Sequence, residues 1–188
     1  MSMKRVFDVV AAVVGMVLLA LPVLLIAIAI RLTSKGPVLY WSDRVGRNNS
    51  LFNMPKFRTM RVDTPAVATH LLPDPSRHIT PVGAFLRKTS LDEVPQLWSI
   101  LIGDMSVVGP RPALFNQDDL INLRTAAGIH ALVPGLTGWA QVRGRDELPI
   151  PVKVEFDRYY LQHCSFSFDL KVIGLTLIQV IKGDGVHH

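Results

Sequence analysis

The longest uncharged stretch of the chain lies near its start, where residues 9–30 form an apolar run of 22 residues. A straight helix of that length, at about 1.5 Å per residue, could cross the ~30 Å hydrocarbon layer of a bilayer. Pro22 lies in the middle of the run, where it removes a backbone hydrogen bond and clashes with the preceding turn. The pattern predicts a membrane segment, and a straight span and a re-entrant helix-break-helix both stay open.

Cationic residues flank this apolar run on both sides, with Lys4 and Arg5 before it and Arg31 and Lys35 after it. A single crossing usually shows an asymmetry of Lys and Arg between its ends, so these flanks favour the bent form. A secretory signal peptide is a weaker alternative, because its apolar region is usually about 7 to 15 residues long. A buried core helix is weaker still, since a domain of this size rarely encloses so long a helix that is apolar all round.

The remaining residues, 36–188, predict one small domain behind a membrane element at residues 1–35. About 150 residues can enclose one hydrophobic core and hardly two. Short strands are predicted at residues 38–41 and 51–60, the latter alternating cationic and apolar side chains along 56–60. Helices are predicted at residues 114–127, 152–161 and 166–182, and a short helix or turn at 83–88. A further apolar helix is predicted to start at Ser90 or Asp92, to run through residues 97–102 and to stop at Gly103. The fold class is therefore α+β and mostly helical, with amphipathic helices at the membrane interface.

The segments between these elements are predicted to be irregular. Residues 61–81 are rich in Pro, Thr and Asp, and residues 134–145 are punctuated by glycine, so both are expected to be loops. The apolar face of residues 166–182 suits either packing on the core or lying in the membrane interface. The charges at Glu155, Asp157 and Arg158 are interpreted as surface charges, as is the basic face of residues 56–60.

The net charge limits the kinds of partner that the chain suits, and the cysteine content bears on its cellular compartment. The net charge of +5 would attract nucleic acid, anionic headgroups and nucleotide phosphates alike. The apolar segment favours a membrane lipid surface, so no nucleic-acid partner is expected. The single cysteine, Cys164, cannot form an internal disulfide, which suits a reducing cytoplasmic setting.

An adjacent carboxylate pair, Asp92 and Glu93, stands at the start of the predicted apolar helix that runs through residues 97–102. Ser90 and Glu93 fit a capping box, in which each side chain satisfies a free N–H of the other's turn. Pro95 opposes that start, whereas a helix that starts at Asp92 holds Pro95 in its first turn, where the missing N–H costs little. Either start places a carboxylate at the positive end of the helix dipole.

Two adjacent ionised carboxylates repel each other unless both face solvent or a cation lies between them. Mg²⁺ prefers oxygen ligands and would remove the repulsion, with Asp92 and Glu93 as its ligands. Two solvated capping acids are the alternative, which the pair by itself favours. The neighbouring membrane segment and the arginines described next shift the interpretation to a metal and phosphate site.

Four arginines are candidates for binding substrate phosphates. Arg87 lies five residues before Asp92, and Arg111 is bracketed by two prolines that fix its backbone. Arg143 and Arg145 lie on either side of a glycine, and glycine lets backbone approach a phosphate that arginine can hold with two bonds. The alternative for the last two is ordinary surface solvation.

Several short blocks occur in the chain in a fixed order. They are KRVFD at residues 4–8, DRVG at 43–46, FRTM at 57–60, SLDEVPQL at 90–97, GDMS at 103–106, VGPRP at 108–112 and PGLTGWAQV at 134–142. With them, nearly the whole chain resembles the bacterial sugar transferases, the small monotopic phosphoglycosyl transferases. Several such blocks together are far more specific than any one of them.

This resemblance implies transfer of a phospho-sugar from a UDP-sugar to a polyprenyl phosphate at the cytoplasmic face of the bacterial inner membrane, with UMP leaving. It also implies a covalent intermediate on Asp92, with Glu93 as its dyad partner and Mg²⁺ as cofactor. The membrane element of the family is a re-entrant helix broken at a proline, here Pro22. Leu21 stands where the family often has Ser, so the break depends on the proline alone.

Two other classes of function stay open beside the transferase. A membrane-bound Mg²⁺ phosphohydrolase would use similar carboxylates and transfer to water. A non-catalytic membrane adaptor would need neither carboxylate. The sequence leaves open which sugar the donor carries, the length of the polyprenyl chain, and the oligomeric state, a homodimer included.

Overall fold

The computed structural model describes residues 3–65, 74–144 and 148–182. Its first two helices are α1 (Met3–Leu18) and α2 (Ala20–Thr33), which meet at an angle of 61°. The break lies at Leu19, one turn before Pro22. Because Pro22 has no N–H to donate to the Leu18 carbonyl and its ring crowds that carbonyl, the helix bends at this turn. The apolar run is therefore bent and not straight.

Both arms of this bent pair contact the rest of the protein. Near the start of α1, Lys4 Nζ donates to the Val108 carbonyl at 2.9 Å and pairs with Asp169 at 2.6 Å. Near the end of α2, Ile30 is buried against Phe57 and Leu86. The two ends of the pair therefore lie on the same body of the protein.

The outer face of the bent pair is apolar and exposed. Within residues 3–65, 74–144 and 148–182, no single helix is long and apolar enough to cross a membrane, and only α1 and α2 together meet that test, as a bent pair. The exposed apolar side chains gather around the bend, at Val13, Val14, Val17, Leu18, Leu21, Leu24, Leu25 and Ile28.

Two small sheets follow the helix pair. Strand β1 (Leu39–Val45) pairs antiparallel with β2 (Leu51–Phe57), so that Leu39 lies opposite Phe57. Strand β3 (Ser106–Val108) pairs in parallel with β4 (Gly135–Thr137). The predicted second strand is three residues too long, because the chain leaves the ladder after Phe57 and Met60 forms only an isolated bridge with Ile79.

Six further helices complete the described part of the chain. They are α3 (Pro81–Lys88), α4 (Leu97–Ile102), α5 (Asp118–Ala126), α6 (Trp139–Gly144), α7 (Ile150–His163) and α8 (Phe166–Lys182). Short 3-10 helices cover Arg47–Asn49, Pro75–His78, Leu91–Gln96 and Ile129–Ala131. The mostly helical α+β class is confirmed, and the helix predicted at 114–127 starts later, at Asp118.

The prediction of a loop at residues 134–145 is wrong for its described part, residues 134–144, because β4 and α6 lie there. Its glycines permit close backbone contact: a Cβ on Gly135 would lie 2.0 Å from the Gly109 nitrogen, and one on Gly138 would lie 2.1 Å from the Gly109 carbonyl oxygen. The glycine pattern therefore reflects tight packing of β4 against the segment that leads to Arg111 and not conformational freedom.

Helix α3 lies directly against the end of β2. Thr80 caps it by accepting a hydrogen bond from the Gly83 backbone N–H at 3.0 Å. A Cβ on Gly83 would lie 2.0 Å from the Thr59 carbonyl oxygen, so only glycine allows this approach. The contact brings the C-terminal turn of α3, with Arg87, toward the segment that carries the carboxylate pair.

Candidate active site

The carboxylate pair lies in the 3-10 helix Leu91–Gln96, which continues directly into α4. Ser90 precedes it with a left-handed backbone (φ 56°), and its side chain makes no capping bond. The capping box is therefore wrong. Pro95 is accommodated because this first stretch is 3-10 and α4 begins only at Leu97, after the proline. This 3-10 helix packs against β2 and α3.

Glu93 is held by two cations. Its Oε1 accepts a hydrogen bond from Arg111 Nη2 at 2.7 Å and one from Lys56 Nζ at 3.4 Å, and its side chain is only 17% exposed. Burial acts to raise the pKa of Glu93, but Arg111 and Lys56 outweigh it and lower the pKa to about 2. Glu93 is therefore a fixed anion that orients two cationic side chains.

Asp92 has the opposite environment. The residue is 9% exposed, and burial, assisted by the Glu93 charge, raises the pKa of its carboxyl above the usual value. Lys56, Arg87 and Arg111 oppose that rise from a distance. Among the described residues, no side chain or backbone group donates a hydrogen bond to the Asp92 carboxylate. A desolvated carboxylate of raised basicity that stays available to a ligand suits a nucleophile.

Lys56 belongs to this site, although the sequence pattern favoured a solvated face for residues 56–60. It lies near the end of β2, and its side chain is 17% exposed because the 3-10 helix of the carboxylate pair packs over this strand. Burial lowers the pKa of Lys56, against the effect of Glu93. The alternation of cationic and apolar residues was a usable signal, but Lys56 points to Glu93 and not to solvent, whereas Arg58 donates to the Pro37 carbonyl at 2.8 Å.

The backbone of Arg111 is held by Arg124, which forms an ion pair of its own. Its backbone carbonyl accepts a hydrogen bond from Arg124 Nη1 at 2.7 Å, and Arg124 pairs with Asp157 at 2.6 Å. Asp157 is 1% exposed, so its prediction as a surface charge is wrong. The signal in the sequence was its spacing: Asp157 lies one turn before Tyr160 and therefore on the buried face of α7.

The four predicted phosphate-binding arginines have different locations. Arg87, in the last turn of α3, and Arg111 both lie close enough to Asp92 to lower the pKa of its carboxyl. Arg143 lies in α6 with its guanidinium 4.2 Å from the Trp139 ring centroid, a cation–π contact in the core cluster of α6 to α8. Its role in phosphate binding stays a prediction, and Arg145 lies outside the described residues.

The carboxylates of this site suit a metal ion that is held partly by the protein and partly by the substrate. Among the described residues, no group of three His, Cys, Asp or Glu side chains is arranged to hold a metal ion. Mg²⁺, however, is commonly held by one or two carboxylates together with substrate phosphates and water. The Asp92 carboxylate accepts no hydrogen bond from the described residues and could serve as such a metal ligand. Glu93 Oε1, in contrast, already accepts hydrogen bonds from Arg111 and Lys56.

A buried amide lies in the same 3-10 helix. Gln96 is 2% exposed, and its Nε2 has no hydrogen-bond partner among the described residues. A buried donor without an acceptor costs free energy, so this side chain is suited to an acceptor that arrives with a ligand or with water. The Asp92 carboxylate and the cations around the pair make a site for an anionic, oxygen-rich substrate.

Comparison with known proteins agrees with this chemistry. A family described as bacterial sugar transferase matches residues 1–183. The chain belongs to the bacterial sugar transferase family. The resemblance carried by the sequence blocks is thereby confirmed over nearly the whole chain.

Individual relatives divide into short and long proteins. The sugar transferase EpsL of Bacillus subtilis is 38% identical over 99% of this chain and 91% of its own length. A UDP-glucose:undecaprenyl-phosphate glucose-1-phosphate transferase of Escherichia coli is 38% identical over 94% of this chain and 40% of its own length. A UDP-N-acetylgalactosamine-undecaprenyl-phosphate N-acetylgalactosaminephosphotransferase of Aeromonas hydrophila is 34% identical over 97% and 44%. The chain thus spans less than half the length of the two longer relatives.

The ion pairs of Glu93 predict an effect of Lys56→Met on both carboxyl groups. Without this cation the pKa of Asp92 is expected to rise further above its usual value, and that of Glu93 to rise from about 2. Carboxyl ¹³C chemical shifts of side-chain-labelled protein, followed against pH, measure both. Lys171→Met is the matched control, because Lys171 lies over Trp139 and not beside Asp92. Unchanged titration in Lys56→Met would contradict the description of the site.

The support behind Arg111 predicts separable effects on stability and activity. Asp157→Asn leaves Arg124 buried without its counter-ion and is expected to cost about 3–5 kcal/mol of unfolding free energy. The double replacement Arg124→Leu with Asp157→Leu is expected to recover most of that loss, yet to transfer sugar slowly because the Arg111 carbonyl has lost its donor. Thermal unfolding in detergent and a transfer assay distinguish the two. Wild-type transfer by the stable double variant would show that Arg124 is only structural.

Proposed function

We propose that this protein is a phosphoglycosyl transferase that moves a phospho-sugar from a UDP-sugar to polyprenyl (undecaprenyl) phosphate, giving polyprenyl diphosphate sugar and UMP. The observation that carries this proposal is the division of the dyad into a paired Glu93 and an available, desolvated Asp92. The names of the Escherichia coli and Aeromonas hydrophila relatives, both sugar-phosphate transferases to undecaprenyl phosphate, support the substrate classes. Such a product begins the membrane stage of glycoconjugate or polysaccharide assembly.

The first half-reaction uses Asp92 as nucleophile. Its carboxylate oxygen attacks the phosphorus next to the sugar, and the bond from that phosphorus to the bridging oxygen breaks. UMP leaves with the electron pair, and an acyl phosphate joins Asp92 to the phospho-sugar. In the second half-reaction a phosphate oxygen of the lipid attacks the same phosphorus and frees the Asp92 carboxylate.

The cations of the site reduce the repulsion between an attacking carboxylate and an anionic diphosphate. Arg111 and Lys56 are held in place by Glu93, so little reorganisation is needed when phosphate arrives. Arg87 lies on the other side, at the end of α3, close to Asp92. Mg²⁺ bound by Asp92 and phosphate oxygens would neutralise further charge on the diphosphate. Glu93 in this account positions cations and does not itself attack.

A two-step route suits substrates of different solubility. The donor is a water-soluble nucleotide and the acceptor is a membrane lipid, so one site that uses them in turn never has to bind both together. The covalent intermediate holds the phospho-sugar after UMP has left and until the lipid acceptor binds. This is also why UMP release without acceptor is the diagnostic signal of the mechanism.

Membrane attachment through residues 1–35 is part of the proposal, with residues 36–188 as the catalytic domain. The exposed apolar surface at the bend of α1 and α2 suits burial in lipid. Both arms of the pair contact the same body of the protein, which favours a re-entrant element over a span with its ends on opposite faces. Since nucleotide sugars are cytoplasmic, the catalytic domain is assigned to the cytoplasmic face of the inner membrane.

The test of this proposal is transfer by Asp92→Asn. Purified protein in nanodiscs is incubated with Mg²⁺, undecaprenyl phosphate and a panel of UDP-sugars, and lipid-linked sugar and UMP are measured. With the donor that the wild type accepts, Asp92→Asn is expected to lose at least about 10³-fold in rate, because the amide is not a nucleophile. Asp118→Asn, which changes an exposed carboxylate on α5, is the matched control and should retain activity.

Two outcomes would contradict the proposal. Lipid-linked sugar formed by Asp92→Asn at the wild-type rate would exclude Asp92 as nucleophile. Sugar phosphate released into water from the wild type, with no lipid-linked product from any donor, would indicate a phosphohydrolase instead.

A further inference from the structure

An apolar groove runs between α2 and α3, outside the carboxylate site. Leu25, Ile26 and Ala29 form one wall, and Val82 and Phe85 are on the other. Its volume is about 510 Å³, within the ~300–1,000 Å³ usual for sites of small organic ligands. Every residue that lines it is apolar. The groove therefore suits hydrocarbon and has no group to bind a sugar or a nucleotide.

The groove opens on the face that the bent helix pair exposes. Leu25 is 57% and Phe85 59% exposed, and Leu25 belongs to the apolar surface around the bend. Both side chains are therefore available to a molecule that approaches from the lipid side of the protein. A hydrocarbon chain can enter laterally, without first crossing water.

The α3 wall of the groove belongs to a helix that packs directly against the 3-10 helix of the carboxylate pair. Leu86 lines the groove and is 1% exposed, because it packs in a cluster that includes Leu91. Leu91 directly precedes Asp92 in the 3-10 helix. On the α3 wall the residue after Leu86 is Arg87, so the apolar lining ends at a cation beside the nucleophile. From the groove along α3 and into the 3-10 helix, the apolar surface is followed by the positive charge of Arg87 and then by Asp92.

We infer that this groove holds the first isoprene units of the polyprenyl phosphate acceptor, with the acceptor phosphate at Arg87. The inference rests on the proposed function and adds a location for the acceptor. A molecule with hydrocarbon directly attached to a phosphate matches the order of these surfaces. A phospholipid carries its hydrocarbon next to glycerol esters, for which the side chains that line the groove offer no hydrogen-bond donor or acceptor.

The direct test is photocrosslinking of the wild-type protein in nanodiscs of phosphatidylethanolamine and phosphatidylglycerol. The probe is polyprenyl phosphate with a diazirine in the isoprene units nearest the phosphate. Crosslinks are expected on Leu25, Ile26, Ala29 and residues 81–86, and excess unlabelled polyprenyl phosphate should remove them. Labelling confined to the bend at residues 17–21, or equal competition by added phosphatidylglycerol, would overturn the inference.

Kinetics of Ala29→Phe provide a second test. The added ring fills the groove and is expected to raise the KM for polyprenyl phosphate about tenfold, as when one or two methylene groups lose their apolar contact. UMP release without acceptor reports that the fold and the donor site are intact. Ile28→Phe adds similar bulk on the exposed face beside the groove and should leave the KM unchanged. An unchanged KM in Ala29→Phe would overturn the inference.

The two proposals can fail separately, because crosslinking needs no turnover. Transfer activity without crosslinks in the groove would refute the acceptor location and leave the reaction standing. Specific crosslinks in the groove, together with an absence of transfer from every donor tested, would refute the reaction and leave a polyprenyl phosphate site.

Discussion

The double ion pair of Glu93 with Arg111 and Lys56 is the interaction on which the site depends. It separates two adjacent carboxylates that would otherwise behave alike: Glu93 is paired with cations at close range, whereas Asp92 is buried and accepts no hydrogen bond from the described residues. Without that pair, Asp92 and Glu93 would repel each other, and neither cation would have a fixed position. Asp92 and Glu93 therefore differ because their neighbours differ, and not because of the carboxylates themselves.

The surrounding fold serves to bring those partners together. Strand β2 delivers Lys56, and the α3 packing allowed by Gly83 delivers Arg87. Arg111 is held through its own carbonyl by Arg124, whose buried partner is Asp157 on α7. These contacts join residues that are far apart in the sequence. The ion pairs of Glu93 with Arg111 and Lys56, and of Arg124 with Asp157, offset the cost of burying those charges. They hold the cations in fixed positions around the Asp92 carboxylate.

Local patterns in the sequence predicted the helices, helix breaks and helix ends that neighbouring residues determine. The break near Pro22, helix α8 and the end of α4 at Gly103 follow from proline geometry, apolar spacing and left-handed glycine. The burial of Asp157 and Lys56 could not be read in the same way, because a charged residue looks equally suited to solvent until its partner on another element is known. The glycines of residues 134–145 were ambiguous for a similar reason, since close packing against Gly109 and flexibility call for the same residue.

The central claim is that Asp92, and not its neighbour, accepts the phospho-sugar. The most direct measurement incubates the wild-type protein with its UDP-sugar donor and no lipid acceptor, quenches in acid, and maps the added phospho-sugar mass by peptide sequencing in the mass spectrometer. We expect modification at Asp92, with one UMP released per modified chain, and loss of the added mass when polyprenyl phosphate is supplied. Modification at Glu93, or lipid-linked product formed with no modified chain at any time, would contradict it.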